Sequence, residues 1–174
     1  SGGYAGRLLA ESGAYVQKLL QKTKEVTRFR DEKKQIIFSD PDEVKRGLYE
    51  EWDLIIWDSH CTDELDRSLC GYFEKEEIDK VGVRICFPEG IGLDEEDDLQ
   101  AWGSWMELTG DPEKDPLRVG GFPAAYLIGA HTATGGLLAL LEKKSTGCGR
   151  LVEISAPAIL VGALEGAYSK YMES

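Results

Sequence analysis

Apolar residues along this chain occur in two patterns, which predict two kinds of secondary structure. Short, nearly continuous apolar segments are typical of buried strands, and they occupy residues 35–38, 53–58, 81–87 and 150–154. Segments with apolar residues three or four positions apart predict helices, and they occupy residues 41–50, 64–77, 95–108, 124–141 and 157–171. Because strands and helices alternate over short connections, the sequence predicts an α/β fold in which helices flank a parallel sheet.

The first amphipathic segment, residues 4–21, is interrupted by a glycine. Its leucines and valine lie at helical spacing throughout. Gly13 costs about 1 kcal/mol of helix propensity relative to alanine. We therefore expect either close backbone packing at Gly13 or a break in the helix there, and periodicity alone leaves both open.

The predicted helix 124–141 has one face that is nearly bare of side chains. Ala125, Gly129, Ala133 and Gly136 recur three or four positions apart. The neighbouring glycines at 135 and 136 together cost about 1–2 kcal/mol of helix propensity. Such a face is expected where a sheet or a partner helix presses closely against the backbone.

Length and charge bound the class of protein. The chain has 174 residues, which fits one domain, residues 1–174. Its formal net charge of −12 argues against a nucleic-acid partner, whose phosphates need a basic face. No apolar run reaches the roughly 18–20 residues of a membrane span, and no basic-then-apolar leader opens the chain. We therefore expect a cytoplasmic protein with no membrane partner.

The residues that bind metals most often are scattered. The four cysteines show no C-x-x-C spacing and the two histidines lie far apart, so we expect no metal site and free thiols in a reducing compartment. The acidic run at residues 94–98 lacks the alternating ligands and central glycine of a calcium loop. A helix start, which favours negative charge, explains this run better.

One stretch, residues 115–155, combines a Pro/Gly loop, the helix of small residues, the sequence KKSTGCG and a short strand. In residue order and spacing it resembles the core motif of the family III (CaiB/BaiF) CoA-transferases. Further resemblances follow in the same order at residues 6–16, 25–39, 53–58 and 108–110. They imply a Rossmann-like parallel sheet, truncated to the N-terminal part of the family's large domain. They also imply that the first helix ends near Gly13 and that residues 15–20 form a strand.

The resemblance places Ala125 where family members carry their catalytic aspartate, four residues ahead of Gly129. That aspartate attacks an acyl-CoA thioester and carries the acyl group, which a methyl group cannot do. The nearest carboxylates in sequence are Asp115 and Glu142. We therefore expect a catalytically degenerate domain, a pseudoenzyme with a CoA-binding or scaffolding role. An active acyl-CoA:carboxylate CoA-transferase subunit using another carboxylate, or a purely structural docking domain, are the alternatives.

Coenzyme A or acyl-CoA is the cofactor that the resemblance implies. Arg28 matches the arginine of the family's G-D-x-x-R motif, and Lys33 and Lys34 match its K-R-S-I strand start. Arg7 stands where oxalate-type enzymes carry a glutamine. These four cations are candidate contacts to the phosphates of CoA. The alternative is a solvated basic loop, and Asp58, in place of a family asparagine, would repel a polyphosphate.

The two histidines are further candidates for a catalytic role. His131 is a candidate general base, although a lone histidine on an apolar helix is more often packed in the core. His60, beside Cys61 and Asp58 at a strand's carboxyl end, is a candidate nucleophile partner or an ordinary loop residue.

The resemblance also bears on the assembly. Family members form interlocked dimers, which a chain of this length is expected not to form. A second CoA-transferase-like domain or chain is the expected partner.

Overall fold

The structure, a computed structural model, describes residues 2–20, 33–38, 52–59, 63–75, 78–87 and 96–172. The helices in these ranges are α1 (Gly2–Glu11), α2 (Asp63–Phe73), α3 (Glu96–Trp102), α4 (Pro123–Thr146), α5 (Ala156–Gly162) and α6 (Glu165–Met172). The strands are β1 (Gln17–Leu20), β2 (Gln35–Phe38), β3 (Leu54–Asp58), β4 (Val81–Cys86) and β5 (Arg150–Ser155). Every described strand pair is parallel. The predicted α/β fold with a parallel sheet flanked by helices is confirmed.

The described strands form two parallel sheets. One has the order β3-β4-β5, and the other pairs β1 with β2. In the larger sheet, side chains alternate between two faces, as the pleat of a strand requires. Val83 and Ile85 of β4 lie in clusters with α4, whereas Ile55 and Trp57 of β3 lie in a cluster with α2. The core is therefore divided into two layers by the sheet.

Helix α4 lies against the sheet with its bare face inward. A Cβ atom built on Gly136 would lie 3.0 Å from Leu54, and one on Gly135 would lie 3.2 Å from Ile154. The predicted reason for the two glycines is thus confirmed, because the sheet leaves little room for side chains there. Helix α1 covers another part of α4, where Ala5 and Leu9 pack around Ala133.

Helix α4 is also, in the described part of the chain, the one helix that is long and apolar enough to cross a membrane by length and composition alone. Helix α4 meets these criteria by its mean hydropathy, whereas the expectation concerned an unbroken apolar run. A core helix that packs on a sheet meets the same criteria. Ile128 and Thr132 of α4 are fully buried within the fold, and 44% of the helix's most apolar window is buried.

At the N-terminus, the break at Gly13 is confirmed and the continuous helix over residues 4–21 is wrong. Gly13 has φ +97°, a left-handed conformation that glycine adopts without steric cost. The amide of Gly13 donates to the carbonyl of Ala10, and that of Ala14 to Leu9, which closes α1. The chain then continues into β1, as the family resemblance implies.

Helix boundaries differ from the prediction at several places, and α2 ends at Phe73 rather than at residue 77. Helix α3 ends at Trp102 rather than at residue 108, because Ser104 adopts a left-handed conformation with φ +60° and the amides of Ser104 and Trp105 donate back to the carbonyls of Ala101 and Gln100. Helix α4 extends to Thr146, where the left-handed Gly147 donates its amide to the carbonyl of Lys143. The last predicted helix is divided into α5 and α6. The predicted helix at residues 41–50 lies outside the described residues.

Candidate functional site

Helix α4 begins without a capping side chain of its own. Its N-cap residue, Phe122, makes no side-chain hydrogen bond to the helix, and Pro123 occupies the first turn. The first amides of a helix have no acceptor within the helix, so they need one from elsewhere. That acceptor is a carboxylate from α3. Oε1 of Glu96 accepts from the amide of Ala124 at 2.7 Å, and Oε2 accepts from the amide of Ala125 at 3.1 Å.

Glu96 is only 6% exposed, and Gln100, which is fully buried, holds it in place. Nε2 of Gln100 donates to Oε1 of Glu96 at 3.0 Å and to the carbonyl of Val119 at 3.0 Å. Oε1 of Gln100 accepts from the amide of Val119 at 2.8 Å. We call Glu96, Gln100 and their partners at Val119, Ala124 and Ala125 the α4 start network. A negative charge at this end of α4 also interacts favourably with the helix dipole.

The sequence did not point to Glu96 as part of a site. It lies within the acidic run 94–98, which predicts the start of a helix, and α3 does begin at Glu96. Its contact with Ala125 spans 29 positions. Of the two carboxylates that are nearest to Ala125 in sequence, Asp115 is exposed in the loop and Glu142 pairs with Arg150 in the last turns of α4. The i, i+4 spacing of Glu96 and Gln100 was the available signal, since it puts both on one helix face.

Aromatic side chains surround the start of α4. The ring of Tyr126 lies 4.7 Å from that of Tyr4 on α1 and 6.4 Å from that of Phe122, between centroids. The guanidinium of Arg118 lies 5.8 Å from the Phe122 centroid and pairs with Asp97 at 2.8 Å. These contacts link α1, α3 and the loop before α4 at one place, immediately beside Ala125.

The predicted cation cluster is only partly described. Arg7 pairs with Glu11 one turn along α1, with Nε 2.9 Å from Oε1. Lys34 donates to the carbonyl of Gly3, and a Cβ atom on Gly6 would lie 3.2 Å from its Cε. Lys33 is exposed and has a φ of +62°. Arg28 lies outside the described residues. Lys34 and Arg7 are thus both placed at α1, and CoA binding by these residues stays a prediction.

The structure gives little support for a catalytic role of the histidines or for a metal site in its described part. His131 is exposed, and its Nδ1 lies 2.9 Å from the carbonyl of Leu127 on the same helix. The packed-core interpretation of His131 is therefore wrong. His60 and Cys61 lie outside the described residues. Within the described ranges, no group of three or more His, Cys, Asp or Glu side chains is arranged to hold a metal ion.

A second polar cluster lies on the sheet face that packs against α2. Arg84 of β4 binds both carboxylate oxygens of Asp66, at 2.8 and 2.6 Å, and also Glu153 of β5 at 2.9 Å. Nε1 of Trp57 donates to Asp66 at 2.8 Å. The hydrogen bond with Asp66 raises the pKa of Arg84, despite partial burial. One guanidinium thus bridges two carboxylates and ties α2 to two strands, which is typical of a structural ion-pair network.

Comparisons with known proteins agree with the parallel α/β fold. Residues 92–174 match the family model described as CoA-transferase family III. The fold resembles Rv3272 from Mycobacterium tuberculosis at 17% identity and a TM-score of 0.78, covering 97% of this chain and 54% of that one. It also resembles a CAIB/BAIF family protein from Brucella suis at 18% identity and a TM-score of 0.73, covering 99% of this chain and 53% of that one. No curated protein sequence matches the chain. The chain therefore spans about half the length of these structures.

Proposed function

We propose that this chain, whose residues 92–174 match the family model described as CoA-transferase family III, is a catalytically degenerate domain of that family. In this proposal the domain binds CoA or acyl-CoA, or serves as a scaffold, within a larger assembly. A second CoA-transferase-like domain or chain supplies the carboxylate that carries the acyl group. We also propose a cytoplasmic location.

The observation that carries this proposal is the arrangement at the start of α4. Position 125 presents a methyl group, and Ala125 is only 6% exposed. The nearby carboxylate of Glu96 accepts hydrogen bonds through both of its oxygens. A nucleophilic carboxylate needs an accessible lone pair directed at the thioester carbonyl, and burial to 6% exposure together with three hydrogen bonds leaves Glu96 little access for such an attack. The amides of Ala124 and Ala125 are also committed to Glu96, so they are unavailable to stabilise an oxyanion.

Acyl trapping tests the proposal. The protein is incubated with acetyl-CoA and then hydroxylamine, and its peptides are mapped by mass spectrometry. We expect no hydroxamate on any carboxylate of the wild-type protein. A labelled wild-type peptide would contradict the proposal, and the position of the label would identify the acyl carrier.

A restored nucleophile provides the complementary test. The A125D variant places a second carboxylate beside Glu96, and two carboxylates at one site repel each other. We therefore expect A125D to be less stable than wild type, and the A125D/E96Q double variant to recover part of that loss. If position 125 faces an acyl-CoA site, the double variant should gain a hydroxamate at that position. A125N/E96Q, which cannot carry an acyl group, is the matched control.

The second candidate is an active CoA-transferase subunit that uses Glu96 as its carboxylate. It is favoured by one observation, because Glu96 lies within hydrogen-bonding distance of the amide of Ala125. This candidate predicts a hydroxamate on Glu96 in the wild-type protein and its loss in E96Q. The exposed Glu107 on the same part of the chain provides the control variant E107Q, which should be labelled like wild type.

Cofactor binding is tested separately by calorimetry with CoA and with acetyl-CoA. The proposed contacts to the phosphates are Arg7, Arg28, Lys33 and Lys34. We expect binding that weakens in K33A, whereas K114A, which removes an exposed lysine paired with Asp111 in the loop before α4, should bind like wild type. No heat with millimolar CoA would instead favour a purely structural docking domain.

A further inference from the structure

We propose that Gln100 is a positioning residue for the site at position 125, and that it acts through Glu96 and Val119. The inference rests on the proposed function only in assigning position 125 to the site. The coupling itself is a property of the α4 start network. Through this network, side chains of α3 fix the backbone on both sides of the glycine pair Gly120-Gly121.

The first step is the pairing of Gln100 with Val119. The side-chain amide of Gln100 donates to the carbonyl of Val119 at 3.0 Å and accepts from its amide at 2.8 Å. Two opposed bonds to a single residue fix both the position and the orientation of that peptide segment. A carboxylate, a hydroxyl or a methyl group at position 100 cannot reproduce them. Only a primary amide carries its N–H donors and its acceptor oxygen on two separate atoms, side by side, as this pairing requires.

The second step is the use of the same side-chain nitrogen on Glu96. Nε2 of Gln100 also donates to Oε1 of Glu96 at 3.0 Å. That oxygen receives the amide of Ala124 at 2.7 Å as well. The orientation of the Glu96 carboxylate is therefore set from two directions, by Gln100 one turn along α3 and by the amides at the start of α4.

The third step concerns the residues between the two anchors. Val119 is held on one side of the glycine pair, and Ala124 and Ala125 are held on the other. A Cβ atom on Gly120 or Gly121 would meet nothing within 4 Å, and Gly121 has φ +85°. A glycine pair is the most flexible kind of connection. The geometry at position 125 therefore depends on the hydrogen bonds that hold Val119 on one side and Ala124 and Ala125 on the other. Arg118, which pairs with Asp97 and donates to the carbonyl of Gly121 at 2.8 Å, ties the same segment to α3.

Hydrogen exchange of backbone amides, followed residue by residue by NMR at neutral pH, tests whether α3 fixes the backbone at Val119, Ala124 and Ala125. In the wild-type protein the amides of Val119, Ala124 and Ala125 should exchange more slowly than those of Gly120 and Gly121. This measurement needs no variant and no acyl chemistry. Equal exchange across the five amides would overturn the proposal.

Two variants of Gln100 separate positioning from space filling. Q100M keeps an unbranched side chain of similar length without polar atoms. It should raise the exchange rates of Val119, Ala124 and Ala125 by about tenfold. Q100E keeps the acceptor for the amide of Val119 but loses the donors and repels Glu96. It should raise exchange at Ala124 and Ala125 more than at Val119.

The controls define the contrary results. E96Q removes one of the carboxylate acceptors, so it should raise exchange at Ala124 or Ala125 and leave Val119 unchanged. E107Q, an exposed change of the same type, should leave all three amides unchanged. If Q100M and Q100E leave Ala124 and Ala125 at the wild-type rate, Gln100 fixes only the loop and the positioning role is wrong. Since exchange reports geometry alone, this result is distinct from any failure of the acyl-trapping experiment.

Discussion

Asp66 contributes to the stability of the sheet through opposing effects on its charge. Partial burial alone would raise the pKa of Asp66, but hydrogen bonds from Arg84 and Trp57 outweigh burial and hold that pKa below its ordinary value of 3.8. A carboxyl whose pKa is lower in the folded state stabilises that state fully above its unfolded-state pKa. The stabilisation is then lost as the pH falls below 3.8 and through the folded-state pKa.

We therefore expect D66N to lower the free energy of unfolding by about 1–3 kcal/mol at pH 7. The penalty should shrink between pH 4 and pH 2, where the wild-type carboxylate becomes protonated. Urea unfolding followed by tryptophan fluorescence at several pH values measures both effects. E74Q, an exposed change just past the end of α2, is the control, and a D66N penalty that is equal at pH 7 and pH 2 would contradict the argument.

The described cysteines differ in their expected reactivity. Burial raises the pKa of the Cys70 thiol, as does the charge of nearby Asp66. Burial also raises the pKa of the Cys86 thiol. Cys148 is exposed. Because the thiolate is the reactive form, iodoacetamide at pH 8 should modify Cys148 well before Cys70 or Cys86, as mass spectrometry of timed samples would show. The Cys86 thiol lies 3.7 Å from Oε1 of Glu153, and early labelling of Cys86 would contradict that placement.

At the scale of single residues, the sequence predicted where a residue lies in its helix better than which distant residues it contacts. The family motif placed Ala125 at the beginning of a helix, and α4 does begin at Pro123. The motif gave no indication of Glu96, because a buried carboxylate that caps a distant helix leaves no local pattern. His131 was expected to be packed because its neighbours are apolar, yet it lies on the solvent side of α4.

At the scale of elements, the turn between α4 and β5 depends on a glycine. The amide of Gly149 donates to the carbonyl of Ile78 at 2.7 Å, and a Cβ atom at position 149 would lie 1.9 Å from the carbonyl oxygen of Lys80. Backbone atoms cannot yield as a flexible side chain can, so β5 would have to move away from β4. We expect G149A to lower the free energy of unfolding by more than about 2 kcal/mol.

The control for G149A is G162A. A Cβ atom on Gly162, the last residue of α5, would meet nothing within 4 Å, and alanine has the higher helix propensity. G162A should therefore be neutral or slightly stabilising in thermal unfolding followed by circular dichroism. Equal losses in the two variants would mean that the close approach at Gly149 is not the cause.

Secondary structure was predictable from the sequence where its cause is local. Strands β3, β4 and β5 were recognisable from their apolar runs, and the glycines of α4 from their spacing. The end of α3 was not, because the residue that adopts the left-handed conformation there is a serine, Ser104, rather than the glycine that usually signals a helix end. The division of the last helix was not predicted either, because the helical spacing of its apolar residues continues through the break between α5 and α6.

At the scale of the whole molecule, the part of the chain that matches the family model is not a structural unit by itself. Residues 92–174 contain a single described strand, β5, and that strand pairs with β4 from the preceding half. The inner face of α4 packs on Leu54 and Val83, which also precede residue 92. The two halves therefore share one core, so the described part of the chain should unfold cooperatively.

We accordingly expect a fragment of residues 92–174 to lack a cooperative thermal transition, because it leaves one edge of β5 and the sheet-facing side of α4 without partners. The intact chain should show one transition that coincides by far-ultraviolet circular dichroism and tryptophan fluorescence. A longer fragment, residues 78–174, restores β4 and is the informative comparison, because β4 supplies both the strand next to β5 and the valine beneath Gly136. It should regain part of the helical signal that the shorter fragment lacks. A sharp transition in the 92–174 fragment alone would mean that α4 and the helices around it form a core without the sheet.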